Sequence, residues 1–155
     1  MSDRREVLKV GLAAIDAGQL LVVRKRGARA FILPGGKPEN GELDLETLAR
    51  EIDEELGCSI ASPTFQGTFA DTAADMPEAR VTVKLYLGCL VGTPRPAAEI
   101  EELAWLDLTK PTSLMLAPSI TNHILPFLQR FVASSDGRTC SARRPKRGSR
   151  RLAQT

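Results

Sequence analysis

The sequence predicts a mixed α/β domain, on three observations. Apolar residues recur at period two in short stretches through both halves of the chain, residues 44–56 switch to a helical period, and residues 120–132 do so again. At 155 residues, with 43% hydrophobic and 26% charged side chains, the chain suits one domain with one core. No run approaches the ~18 apolar residues of a membrane helix. The first residues pass from charge into alternation without an apolar signal-peptide core. A cytoplasmic protein with no membrane partner is expected.

In chain order, Val7, Val10, Leu12 and Ala14 follow period two with some slippage and read as a strand. Asp16-Ala17-Gly18 supplies turn chemistry before a second strand at 20–24, so the pair reads as a hairpin. A short third strand at 30–33 is stopped by Pro34-Gly35-Gly36, and a polar loop runs to Glu42. In the helix at 44–56, Leu45, Leu48, Ala49, Ile52 and Leu56 form one apolar stripe. Asp44 is its N-cap or a first-turn acid, and Gly57 suits its left-handed C-terminus. Strands are expected at 64–72 and 81–91, separated by a polar loop at 75–80, and at 103–106. Pro126 should kink or split the final helix at 120–132.

Residues 134–155 carry seven basic side chains and one acid, leaving 14 basic against 18 acidic residues in the remainder, a net of −4. This segment has little to bury and reads as a basic, disordered tail on a domain spanning 1–133. It has no aromatic residue, so nucleic-acid contact through it would be nonspecific. Cys58, Cys89 and Cys140 are odd in number and far apart, against a disulfide framework or thiolate zinc site; Cys58 and Cys89 read as small buried hydrophobes. His123 is the only histidine, which disfavours a Ser-His-Asp triad and suits a satisfied side chain on a helix.

With the apolar stripe centred near Leu45 and Ile52, Glu51, Glu54 and Glu55 share a flank of roughly 100°, and Asp53 lies on the other. Like charges at these spacings repel, so either the flank is a solvated acidic face or a cation neutralises it. With no His or Cys in the set, the ion would be Mg²⁺ or Mn²⁺. Arg50, one turn before Glu54, can fix its carboxylate.

Gly36, Glu42, Arg50, Glu51, Ile52, Glu54, Glu55 and Gly57 stand at the spacing G-x5-E-x7-R-E-U-x-E-E-x-G-U, where U is a bulky aliphatic residue. This resembles the box of the Nudix hydrolases, with Cys58 in the last aliphatic position as the one departure. The resemblance covers residues 5–132, and it implies a mixed β-sheet sandwiched between helices (α/β/α). It further implies a Mg²⁺- or Mn²⁺-dependent enzyme in which water cleaves the phosphoanhydride of a nucleotide or nucleotide derivative. Glu51, Glu54 and Glu55 would be metal ligands, with a carbonyl of Gly35 or Gly36, and Glu42 direct or through water. Arg50 would orient the glutamates. Glu51 and Glu54 are the candidate bases, with Glu99, Glu101 or Glu102 as runners-up or simply an exposed acidic loop. Arg24 and Arg26, sharing a strand face, and Lys37 would meet phosphate oxygens. Lys25 reads as a solvated turn charge and Trp105 as core.

The Pro and Tyr that mark ADP-ribose and diadenosine-polyphosphate members have no counterpart at Ala73-Ala74 or Asp75-Met76. MutT-like members read the base with an Asn near the last helix. Asn122 is in that region, with Ser119 competing for the position, so a nucleoside triphosphate is the leading substrate. A Nudix-like binding module, a nucleic-acid-associated protein acting through the tail, and a homodimer are the readings left beside it.

Overall fold

The computed structural model describes residues 5–134. Its strands are β1 (Arg5–Ala13), β2 (Ile15–Asp16), β3 (Gln19–Lys25), β4 (Gly35–Gly36), β5 (Ser59–Ala73), β6 (Met76–Val91) and β7 (Ile100–Asp107). Helix α1 spans Asp44–Leu56, and a π-helical segment, Ile120–Ile124, leads into α2, Leu125–Ser134. A four-stranded sheet runs β4-β1-β6-β5, with β1 parallel to β6 and the other pairs antiparallel; a three-stranded antiparallel sheet runs β2-β3-β7.

The slippage in β1 reflects burial on two sides. Val10, Leu12 and Ala14, with Leu21 and Val23 of β3, pack against Leu48, Ile52 and Leu56 of α1. The alternate residues Ala13, Ile15, Leu20 and Val22 pack against Ile120, Ile124 and Leu128 of the C-terminal segment. Strands covered on both faces read as near-continuous apolar runs, and the expected α/β/α layering holds.

Four local expectations change. The hairpin is confined to Ile15-Asp16 against Gln19-Leu20, because β1 leaves it to pair with β4 and β6. The strand at 30–33 shrinks to single bridges at Phe31 and Ile32, and the two glycines expected to stop it form β4 instead. The 75–80 loop is a tight turn: β6 starts at Met76, opposite Ala73 of β5, and Arg5 and Glu6 of β1 pair with Ala79 and Arg80. Trp105 is 38% exposed rather than core; it stands on β7, whose alternate residue Leu106 takes the inward position.

Asp44 proves to be a first-turn acid. Leu43 is the N-cap, its N–H donating to Glu46 Oε1 at 2.8 Å, while Asp44 ties α1 to β6 by accepting from the Tyr86 hydroxyl at 2.8 Å. The final helix is split as Pro126 requires: the Leu125 N–H bonds the Ile120 carbonyl in a wide turn, and regular helix begins around the proline. Cys58 is buried and free. Cys89 is half-buried near the end of β6 and is not a free thiol, so the expected second buried apolar cysteine is not found. Cys140 and the basic tail from 135 onward lie outside the described residues, and with them the nucleic-acid reading. No helix among the described residues is long and apolar enough to cross a membrane.

One polar tie anchors the π-helical segment to β5. Asp71 Oδ2 accepts from Asn122 at 2.9 Å and lies 3.2 Å from His123 Nε2. These contacts, with the Thr72 N–H, lower the Asp71 pKa, the Asn122 bond contributing most. A carboxylate whose pKa falls on folding adds stability above its unfolded value, which is lost as pH drops. Asp71→Asn should therefore lower the melting temperature at pH 6, and the deficit should close as pH falls below the ordinary Asp range near 3.9. A pH-independent deficit in thermal scans would mean that the charge is not what matters.

Candidate active site

The buried face of α1 is not centred where its apolar residues alone would put it. Leu45 is 46% exposed and Ala49 exposed, while Thr47, Leu48, Ile52, Glu55 and Leu56 are buried. The helix is thus rotated by roughly 50° toward its glutamates. Glu55 enters the core at 1% exposure, Glu51 stands at the core boundary, and Glu54 remains exposed. Burial works against the charge on Glu55: desolvation first, then the Glu51 and Glu99 carboxylates, push its pKa up to about 8 against the pull of Lys25 and of a hydrogen bond from the Gly35 N–H.

That bond comes from β4, whose glycines the site demands. Gly35 N–H donates to Glu55 Oε1 at 3.1 Å. Gly35 has φ +142°, and a Cβ there would overlap the Val10 carbonyl oxygen of β1. A Cβ on Gly36 would lie 2.5 Å from the Glu51 carboxyl group. Glu51 is fixed from its other side by Arg50, whose Nη1 donates to Oε2 at 2.9 Å. The same guanidinium forks onto Glu42, with Nε to Oε2 at 2.7 Å and Nη2 to Oε1 at 2.9 Å, and reaches the Lys37 carbonyl at 3.2 Å. Arg50 holds Glu42 down at about 2, aided by the Glu39 N–H and the Thr47 hydroxyl, and is itself held more firmly protonated.

Carboxylate oxygens of Glu51, Glu55 and Glu99 lie within 4.8 Å of one another. Glu51 and Glu99 line a cavity of about 680 Å³, as do Gly35, Gly36 and three lysines, Lys9, Lys25 and Lys37. Away from the carboxylates it is mainly apolar, bounded by Val7, Val81, Met76, Ile120 and Ile124, with the buried Ser119 and the exposed Asp75 as polar groups. Charged floor and apolar end together suit an anionic group joined to an organic one.

The family model for the NUDIX domain matches residues 6–131. The chain belongs to the Nudix family. It is a Nudix-type pyrophosphohydrolase, an enzyme class that acts on nucleotide derivatives. It is 29% identical over 117 residues, 72% of either chain, to the uncharacterized Nudix hydrolase YvcI of Bacillus subtilis (strain 168). The MutT NUDIX hydrolase of Burkholderia pseudomallei shares its fold with a TM-score of 0.65 at 22% identity, over 81% of this chain and 97% of that one. The MutT protein of Bacillus halodurans gives 0.61 at 25% identity, over 76% and 81%.

Gly36, Arg50, Glu51 and Glu55 of the Nudix box lie together with Gly35, which precedes it. Glu54 stands apart from the three-carboxylate group, its Oε1 3.8 Å from Arg50 Nη1, and Glu42 has both oxygens on Arg50. Glu99 joins the group, whereas Glu101 and Glu102 are partners of Arg24. Arg24 also donates to the Ala28 carbonyl at 3.0 Å, and Arg26 reaches the Ala98 carbonyl at 3.4 Å; neither lines the cavity. Lys25 does, 4.0 Å from Glu99, reversing the order expected of these basic residues, because β3 presents Lys25 and not Arg24 to the cavity. Lys37 lines the cavity. Asn122 is bonded to Asp71 and does not line the cavity, whereas Ser119 does.

Sequence reasoning missed Lys9 altogether. Its signal was there: Val7, Lys9 and Gly11 form the second face of β1, hidden in the slippage. Asp53, exposed on the far side of α1, supplies a control. Asp53→Asn should leave turnover within about twofold and stability within about 0.5 kcal/mol; a large loss of activity would place the site on the wrong face of the helix.

Proposed function

We propose that residues 1–133 form a Mg²⁺- or Mn²⁺-dependent hydrolase of nucleoside diphosphate-linked compounds. The leading reaction is a nucleoside triphosphate going to a nucleoside monophosphate and pyrophosphate. The observation that carries this reading is the convergence of Glu51, Glu55 and Glu99 at a cavity that Glu51 and Glu99 line together with three lysines and several apolar residues.

The donors fit a hard divalent cation: all are oxygen, and a cation would relieve the penalty that holds Glu55 near 8. Glu51, Glu55 and Glu99 would hold it, with Glu54 and a Gly35 or Gly36 carbonyl as the box implies and Glu42 acting through Arg50. When bound, the ion supplies neutralisation of phosphate oxygens and a more acidic water. The chain's own residues do the rest. Lys25 and Lys37 bind phosphate oxygens, Arg50 keeps Glu51 in one rotamer, and Glu51 or Glu99 accepts the proton of the attacking water. The apolar end takes the organic group. Water oxygen bonds to phosphorus as the bridging oxygen departs with the second phosphate.

A screen of nucleotides and nucleotide sugars, with and without Mg²⁺ and with phosphate products identified, tests this. Monophosphates should be untouched, and a triphosphate should yield pyrophosphate. Release of inorganic phosphate alone from a triphosphate would contradict the register, and metal-independent turnover would contradict the site.

A further inference from the structure

Lys9 stands where the charged floor and the apolar end of the cavity meet. Val7, Lys9 and Gly11 face the cavity in turn, roughly 6.7 Å apart along β1. Val7 is opposite Val81 on β6, toward the apolar end, and Gly11 is opposite Gly35 on β4, beside the carboxylates. The surrounding face is otherwise apolar or glycine, so packing alone calls for a hydrophobic residue here. Lys9 is half-buried and, among the described residues, makes no side-chain hydrogen bond and no ion pair within 4.0 Å. Its charged neighbours are Lys25 and Lys37 on one hand and Glu51 and Glu55 on the other. Lys25 already has Glu99, and Arg24 has Glu101 and Glu102. Asp75 and Glu39 also line the cavity, but Asp75 is exposed, Glu39 is paired with Arg50, and neither is among the charges that act on Lys9. Once Glu51 and Glu55 hold a cation, the counter-charge left for Lys9 is an anion in the cavity. A partly desolvated ammonium is costly without such a partner.

We propose that Lys9 is a substrate-binding residue whose ammonium meets the phosphate that carries the organic group, at the boundary between the floor and the apolar end. This rests on the reading of the site as a phosphoanhydride hydrolase. A cation on the strand opposite the box helix would set how far the phosphates enter and so which phosphorus faces the carboxylates.

The test is calorimetric titration of the full chain with methylenediphosphonate, a non-hydrolysable diphosphate, in the presence of Mg²⁺. Wild type, Lys9→Met, Lys9→Arg and Glu51→Gln are compared, with thermal unfolding of each. Lys9→Met keeps the side chain's length and removes its charge; it should weaken binding about tenfold or more, while Lys9→Arg stays within about threefold. Both should melt at or above the wild-type temperature, since a desolvated charge close to Lys25 is relieved or unchanged. Wild-type affinity in Lys9→Met with loss in Glu51→Gln would overturn the role of Lys9 and leave the site reading intact. Equal weakening in the Met and Arg variants would assign Lys9 a packing role and overturn it too. Absence of binding by wild-type protein would sink the site reading and this inference together.

Discussion

Glu51→Gln and Glu55→Gln should each lower turnover about a hundredfold or more while leaving the chain folded. Gln is nearly isosteric with Glu, so the Glu55→Gln side chain retains an amide oxygen to accept the Gly35 N–H that now bonds Glu55 at 3.1 Å. What it lacks is the negative charge, and that charge is what desolvation, Glu51 and Glu99 oppose. Without added metal, Glu55→Gln should therefore melt no lower than wild type. Added Mg²⁺ should stabilise the wild type by mass action and the variant much less. Turnover near wild type in both variants would remove the carboxylate group from the mechanism. A strongly lowered melting temperature in both would instead make these glutamates structural.

Gly35→Ala is expected to produce the largest loss of stability, and Gly36→Ala a loss of activity from a protein that still folds. At Gly35 two penalties combine. The backbone lies at φ +142°, which a residue with a Cβ avoids, and that Cβ would overlap the Val10 carbonyl oxygen. Backbone strain and overpacking each cost about 1–3 kcal/mol. A total of about 3 kcal/mol corresponds to a drop of roughly 10 °C in a domain of this size. At Gly36 the φ angle is not in the disfavoured range, and the Cβ would meet the Glu51 carboxyl group at 2.5 Å. That side chain can move, so the fold survives and the carboxylate is displaced. Thermal unfolding and turnover of the two variants, side by side, separate these effects; identical behaviour would contradict the division of labour within β4.

Much of this was legible in the sequence. The strongly periodic α1 and the shared flank of its glutamates came from spacing, and the box residues from the resemblance to the Nudix signature. The orientation of α1 came from neither, because a helical wheel weighted by apolar residues treats Glu55 as solvent-facing, whereas the Gly35 N–H admits its carboxylate to the core. The hairpin at 16–19 was legible from turn chemistry. The departure of β1 to pair in parallel with β6 was not, since that register is set by contacts more than 70 residues apart. For the same reason Lys9, Lys25 and Glu99 were invisible as a group: they come from β1, β3 and the segment before β7, and only the folded sheet brings them to one cavity. Arg24 misled because alternation predicts which residues share a face but not which face will find a partner, and Glu102 took it at 2.9 Å.

Glu99 is the member of the carboxylate group that the box does not contain, so it tests the account most directly. Mn²⁺ titration of the full chain, followed by the loss of the free-ion paramagnetic resonance signal, should show Glu99→Gln binding at least about tenfold more weakly than wild type. Glu101→Gln, two residues along and paired with Arg24, should titrate like wild type. A Glu99→Gln curve that overlays the wild type would contradict a metal site built from Glu51, Glu55 and Glu99.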